Sequence, residues 1–162
     1  MALKVDKAVI DGLNTILTNE LTAINQYFLH AKMCQNWGYE RLYQKIYHES
    51  IDEMKHADHL IERILYLGGL PNLQRLGKLT IGETVDEQLR LDMAFEIDKA
   101  IPDLRDVIEL CEKHRDYASR TLLDNILVSE EEHVDWIEAQ LDQIGQMGLS
   151  AYLSVQVRPE DD

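Results

Sequence analysis

KIYHESIDEMKHADHLIERILYLGGLP, residues 45–71, carries two patterns at once. Ile46, Leu60 and Ile64 recur at helical spacing and mark one apolar face. Between them, on that same face, stand Glu53 and His56, three positions apart. The pattern stops at Gly68-Gly69-Leu70-Pro71, where two glycines and a proline end the helix. A long helix over about residues 40–67, with an acid and an imidazole set into its core-facing stripe, is the reading from which the rest follows.

Working outward, the same period runs through almost the whole chain. Upstream, Leu13, Ile16, Leu17, Ile24, Tyr27 and Phe28 fall at three- and four-residue steps, which predicts a helix over about 4–37 closed by Gly38. Downstream, the stretch from Gly68 to Gly82 holds four glycines and a proline and reads as a long surface connection. Thr84 and Glu87 form a capping box, which predicts a third helix from 84 to about 114, with Pro102 kinking it or forcing an irregular turn. A fourth helix is expected over about 116–145, then a short one over 149–157 before a charged tail. No strand-period alternation occurs. Links that run short, long, short make an all-α, four-helix bundle with one long crossover and a short fifth helix, in a single domain spanning 1–162.

Composition narrows the function classes. A hydrophobic fraction of 45% supplies a proper core, and no run of 18 apolar residues is present, so no membrane span is expected. Met1 to Gly12 carries charge throughout and lacks a signal-peptide core, so the expected location is cytoplasmic. Cys34 and Cys111, with no CxxC spacing, read as reduced and structural. A net charge of −14 without a basic patch excludes nucleic acid as a partner and suits a cation.

The apolar stripes are interrupted by acid in every long helix. Glu20 lies between Leu17 and Ile24, Glu96 between Met93 and Ala100, and Glu130 with His133 between Ile126 and Ile137. Glu20, Glu53, Glu96 and Glu130 each fall within about one helical turn, ~5.4 Å, of the expected midpoint of their own helix. In a bundle of similar-length helices, four carboxylates and the imidazoles of His56 and His133 therefore meet at one level. Four buried carboxylates repel one another and lose hydration at several kcal/mol each, so cations must offset them. Carboxylate and imidazole donors without thiolate suit a pair of iron or manganese ions better than structural zinc. One glutamate from each of two helices and Glu-x-x-His from the other two is the pattern of carboxylate-bridged dimetal bundles.

At this point the chain resembles a known family. Asn19 to Phe28 (NELTAINQYF), Tyr47 to Asp58 (YHESIDEMKHAD), Gly69 to Leu73 (GLPNL) and Glu130 to Trp136 are similar to the signatures of bacterioferritins, and the resemblance covers essentially the whole chain. It implies a homo-oligomer of twenty-four subunits around an iron-storing cavity, with co-assembly of a second subunit type also open. It implies haem b between two-fold-related subunits, with Met54 as axial ligand and Leu21, Ile24, Asn25, Phe28, Tyr47 and Ile51 around it. Helix geometry agrees, since Met54 is turned about 100° from Glu53 and leaves the bundle sideways. His48 and Asp52 correspond to a third iron position on the inner surface, and equally suit solvated polar residues.

The resemblance further implies ferroxidase chemistry: a di-iron centre with Glu53 and Glu130 bridging, Glu20 and Glu96 terminal, and His56 and His133 each on one iron. Oxygen or hydrogen peroxide would take the electrons. Tyr27 and Trp136 are electron donors or neighbours of the site by resemblance, and core packing by their chemistry alone. A ferredoxin-type partner would feed electrons through the haem for iron release. Rival readings are a non-storage di-iron or di-manganese oxidase or peroxidase, and a haem carrier with an inactive metal site. Pro102 accompanies a one-residue insertion relative to the family pattern, and Ala151 and Ser154 replace amides common at its four-fold channel.

Overall fold

The computed structural model describes residues 5–160, so the tail residues 161–162 and residue 4 of the expected first helix lie outside it. Four long helical rods and one short helix form the molecule, and no strand occurs among the described residues. Helix α1 spans Lys7–Asn36, α2 Glu40–Tyr66, α3 Val85–Phe95, α4 Ile101–Lys113, α5 Tyr117–Met147 and α6 Leu149–Gln156. Helix α1 starts at Lys7 because the Asp6 carboxylate accepts the Ala8 N–H at 2.8 Å and caps the first turn. It ends at Gly38, whose φ of +87° a glycine adopts without strain.

The third rod carries the irregular turn expected near Pro102, placed a few residues before the proline. A wide π-helical turn, Glu96–Ala100, separates α3 from α4, and the Ile101 N–H reaches back to the Glu96 carbonyl. Pro102 sits in the first turn of α4, where its missing N–H leaves no orphaned bond. The irregular turn that Pro102 predicted is thus a register change rather than a break. The fourth helix also runs two residues past the expected 145, to Met147, and closes at Gly148.

The link from Leu67 to Thr84 runs the length of the bundle and is tied down by a polar stripe on α1. Asn14 donates to the Leu70 carbonyl at 3.1 Å and accepts the Asn72 N–H at 2.8 Å. Farther along, Thr22 Oγ1 accepts the Gly77 N–H at 2.8 Å, Gln26 Oε1 the Thr80 N–H at 3.1 Å, and His30 Nε2 the Gly82 N–H at 3.0 Å. Because Nε2 accepts, His30 carries its proton on Nδ1, which donates to the buried Asp92 carboxylate at 2.9 Å. A connection with no secondary structure of its own is held in this way, through the N–H groups of Asn72, Gly77, Thr80 and Gly82.

The core falls into two halves. One gathers Leu13, Ile16, Leu17, Leu60, Ile64, Leu104, Leu123 and Ile126; the other gathers Ala23, Tyr27, Ile46, Leu89, Ile137 and Tyr152. Burial of each large aliphatic side chain contributes about 1.5–3 kcal/mol. In sequence order the gap between the halves falls at Glu20, Glu53, Glu96 and Glu130 on their respective rods. The two apolar halves clamp a polar layer.

Candidate metal centre

Every one of the four glutamates is buried, and so is His133, while His56 is nearly so. His56 Nδ1 lies 3.4 Å from Glu20 Oε2, 3.3 Å from Glu130 Oε1 and 3.8 Å from Glu53 Oε2. His133 Nδ1 lies 3.5 Å from Glu96 Oε1. The donor atoms fall into two groups, each within 4.8 Å of one another: Glu20, Glu53, His56 and Glu130, and Glu96, Glu130 and His133. Glu130 belongs to both. Both imidazoles aim Nδ1 inward, a consequence of Glu and His three residues apart presenting their near faces to the same point.

Sequence folds this way locally because each donor occupies a core-facing position of a helix whose flanking positions are apolar. The cost is electrostatic. Glu20 Oε2, Glu96 Oε2, both Glu130 oxygens and the Nδ1 atoms of His56 and His133 are buried without a hydrogen-bond partner. Orphaned acceptors of this kind are rare in folded proteins, and their convergence here fits a pair of cations.

Burial pushes the Glu20 carboxyl up to about 8; a hydrogen bond with Glu53 opposes the shift and the Glu96 charge adds to it. Burial likewise holds Glu53 and Glu130 well above the ordinary carboxylate range, reinforced by their carboxylate neighbours. For Glu96 burial acts upward, but the neighbouring His133 imidazole, the adjacent Glu130 carboxyl and the Tyr27 hydroxyl together outweigh it, and its carboxyl is pulled down. Burial acts to lower His133, yet the Glu96 carboxylate beside it and the Glu49 charge raise it to about 9. The metal-free site therefore holds protons where it would hold cations.

Two aromatic residues complete the walls. The Tyr27 hydroxyl donates to Glu96 Oε1, and its ring meets His133 edge-on at 5.0 Å between centroids. Trp136 stacks on His133 at 6.4 Å and 19°, and the Lys45 ammonium lies 5.5 Å from the indole centroid. Tyr27 thus orients a carboxylate and Trp136 an imidazole, beyond simple packing.

The remaining candidates lie elsewhere. His48 and Asp52 face each other at 3.3 Å on a solvent-facing side of α2, with His48 exposed, and join neither buried group. Met54, Phe28 and Asn25 are exposed, with Leu21, Ile24, Tyr47 and Ile51 half-buried around them, so α1 and α2 present a largely apolar face. Met54 is 61% exposed on that face, a thioether without a neighbour of its own chain to cover it. Sequence reading assigned no role to Glu49, a buried carboxylate whose Oε2 lies 4.0 Å from His133 Nδ1. Its signal was available: Glu49 precedes Glu53 by one helical turn.

Comparison with known proteins agrees with this geometry. Residues 10–147 match the model of the ferritin-like domain. The chain is 47% identical to the bacterioferritin of Mycobacterium leprae over 147 residues, 91% of this chain and 92% of that one. It is 42% identical to the bacterioferritin of Brucella melitensis over 160 residues, 99% of both chains. To a bacterial ferritin of Synechocystis it is 43% identical over 156 residues, 96% of this chain and 99% of the other. Among the described residues no helix is long and apolar enough to cross a membrane. With the bundle, the crossover, the layered carboxylates and near-full-length similarity in agreement, the chain belongs to the bacterioferritin family.

Proposed function

We propose that the protein stores iron in the cytoplasm as a hollow homo-oligomer, expected to have twenty-four subunits, and that each subunit is a ferroxidase acting on Fe(II). The observation that carries this reading is the pair of donor groups joined at Glu130, with their inward atoms left without partners.

Two Fe(II) ions are the substrate. One is received by Glu20 and His56, the other by Glu96 and His133, with Glu130 and Glu53 between them. Burial shifts Glu20, Glu53 and Glu130 toward their protonated forms, so cation binding is coupled to proton release. Two Fe(II) then give one electron each to O2, which takes up two protons and leaves as H2O2, or to H2O2, which takes up two protons and leaves as two waters. A second ion close by makes the two-electron step possible without release of a one-electron product. Tyr27 keeps Glu96 turned inward through its hydroxyl, and Trp136 keeps the His133 ring in plane. The apolar halves above and below exclude bulk water.

For haem, the residues present fit the group: an exposed thioether, Met54, in an apolar surround, on a face that one subunit leaves uncovered. Met54 would hold the haem through its thioether, at a site shared with a second subunit. Bound there, haem would supply one-electron transfer for iron release, fed by a ferredoxin-type reductant.

The test is aerobic Fe(II) oxidation by the iron-free protein, titrated with iron and followed by ferric absorbance. The expected result is a fast phase saturating near two irons per subunit, followed by slower continued uptake. Oxidation no faster than in buffer would remove the ferroxidase reading. A small oligomer without mineral would favour the non-storage oxidase instead.

A further inference from the structure

The link from Leu67 to Thr84, α1 and the third rod bound two adjoining hollows. The larger, about 420 Å³, is lined by polar positions of α1 between Asp11 and Asn19, by Asn72 and Arg75 of the link, and by Lys99 of the π-helical turn. The smaller, about 350 Å³, is chiefly apolar, lined by Leu91, Ala94 and Phe95 of α3 and by Lys78 of the link. Asn19, Gly77 and Lys99 border both, so the two make one groove with a polar and an apolar end. Each is of a size that takes a small organic molecule. The groove shares no residue with either donor group of the metal centre.

The polar end is rich in donors and poor in acceptors. Asn14 Oδ1 accepts the Asn72 N–H at 2.8 Å, and Asn72 Oδ1 accepts the N–H groups of Gln74 and Arg75 at 3.1 and 3.3 Å. Asp11 already pairs with Lys7 at 3.0 Å. Asp103 holds Lys99 Nζ at 2.9 Å and the Asn19 amide at 2.8 Å. The Arg75 guanidinium and the Lys78 ammonium, in contrast, pair with no carboxylate among the described residues. In a chain of 30 acidic and 16 basic residues, cations left without an acid beside them along one groove favour an anionic occupant.

We propose that the groove binds a small amphipathic anion, an acyl carboxylate whose head lies between Arg75 and Lys99 and whose hydrocarbon chain lies along Leu91, Ala94 and Phe95. The Arg75 guanidinium is a planar fork that takes both oxygens of one carboxylate. Lys99 borders both hollows, and an ammonium has three protons, of which Asp103 takes one. Because Asp103 partly neutralises Lys99, the pair of cations matches a single negative charge better than a doubly charged phosphate. The chain then extends into the apolar end, where each methylene covered adds to affinity. An occupant would touch the link, α1 and the third rod together, and so would tie down the link at a point where it has no secondary structure of its own.

The experiment is a calorimetric titration of the full-length assembled protein with octanoate at low ionic strength, repeated with acetate, inorganic phosphate and octyltrimethylammonium. Octanoate should bind once per subunit, and acetate, which has the head without the chain, at least about tenfold more weakly. The ammonium amphiphile, which has the chain with the opposite charge, should not compete with octanoate. Arg75→Gln should weaken octanoate at least about tenfold by removing the fork. Ala94→Glu puts a carboxylate at an exposed position of the apolar end and should abolish binding; it serves if the Arg75 variant fails to assemble. Absence of octanoate binding to the wild type would overturn the proposal. Octanoate that binds both variants as it binds the wild type would overturn it as well, since the molecule would then sit elsewhere, as on the exposed face around Met54. Acetate or phosphate binding as tightly as octanoate would overturn it too, because the apolar end would then take no part.

Discussion

Replacing one ligand should stabilise the protein when metal is absent and destabilise it when metal is present. Glu20→Gln is the perturbation, because its carboxyl is buried and its oxygen lies among three others. The folded-state value of about 8 exceeds the ordinary 4.5 by about 3.5 units, and at about 1.36 kcal/mol per unit that is about 5 kcal/mol in all. Its sign follows from proton binding. The folded carboxyl holds its proton up to about pH 8 whereas the unfolded one releases it near 4.5, so this group's contribution is intact below 4.5 and is lost as pH rises through 8. At pH 8.5 the metal-free wild type therefore carries nearly the whole penalty, and at pH 5 less than about 1 kcal/mol of it. Neighbouring carboxylates adjust when one is neutralised, so about 2–5 kcal/mol of relief is expected at pH 8.5. At about 2–4 °C per kcal/mol, melting should rise by about 4–20 °C. Calorimetric melts of wild type and variant, with chelator at pH 5 and 8.5, read this directly. Repeating them with cobalt(II) should reverse the order, since the variant then lacks a ligand. If the metal-free variant were less stable than wild type at pH 8.5, the carboxylates would not be the unpaired, desolvated groups described here.

Other outcomes can be stated more briefly. Glu130→Ala removes the one donor common to both groups, so stopped-flow Fe(II) oxidation should lose its fast phase by at least about 100-fold while the shell still assembles. Met54→Leu should leave the oligomer intact on native mass analysis and reduce the haem Soret absorbance to below roughly a tenth of wild type. A Cβ added at Gly82 would stand 2.6 Å from the Gln88 backbone nitrogen, so Gly82→Ala should cost about 1–3 kcal/mol and lower the melting temperature by about 2–12 °C.

The bundle was legible because its period is unbroken and its links differ so much in length. Donor depth was legible for a related reason: an acid in the middle of an apolar stripe has no other explanation when all four helices show it. What escaped the sequence was pairing across long separations. Thr22, Gln26 and His30 recur every fourth residue and read as ordinary polar positions, yet they meet Gly77, Thr80 and Gly82 of the crossover. Glu49 escaped because its partners are Lys45, one turn back, and His133, on another helix. His48 and Asp52, assigned by resemblance to a separate position on the inner surface, face each other at 3.3 Å outside both donor groups.

The π-helical turn shows why the third rod can carry both Pro102 and a core ligand. Glu96 and Leu104 are both buried and stand eight residues apart. In a regular α-helix eight residues rotate about 800°, which overshoots two full turns by about 80° and would swing one of the two off the core. The wider turn over Glu96–Ala100 takes up that surplus, so Glu96 above it and Leu104, Val107 and Cys111 below it all face inward. The same widening takes Pro102 out of an interior position, where its ring would meet the carbonyl four residues back, and seats it in the first turn of α4. The wider turn thus takes up its extra residue between Glu96 and Ala100. Upstream of it, Glu96 stays bonded to the Tyr27 hydroxyl and Asp92 to His30, so the register of α3 against α1 is set independently of α4. The irregular turn in this helix therefore leaves Glu96 with Glu130 and His133 in one buried donor group, and the position of the turn is the reason.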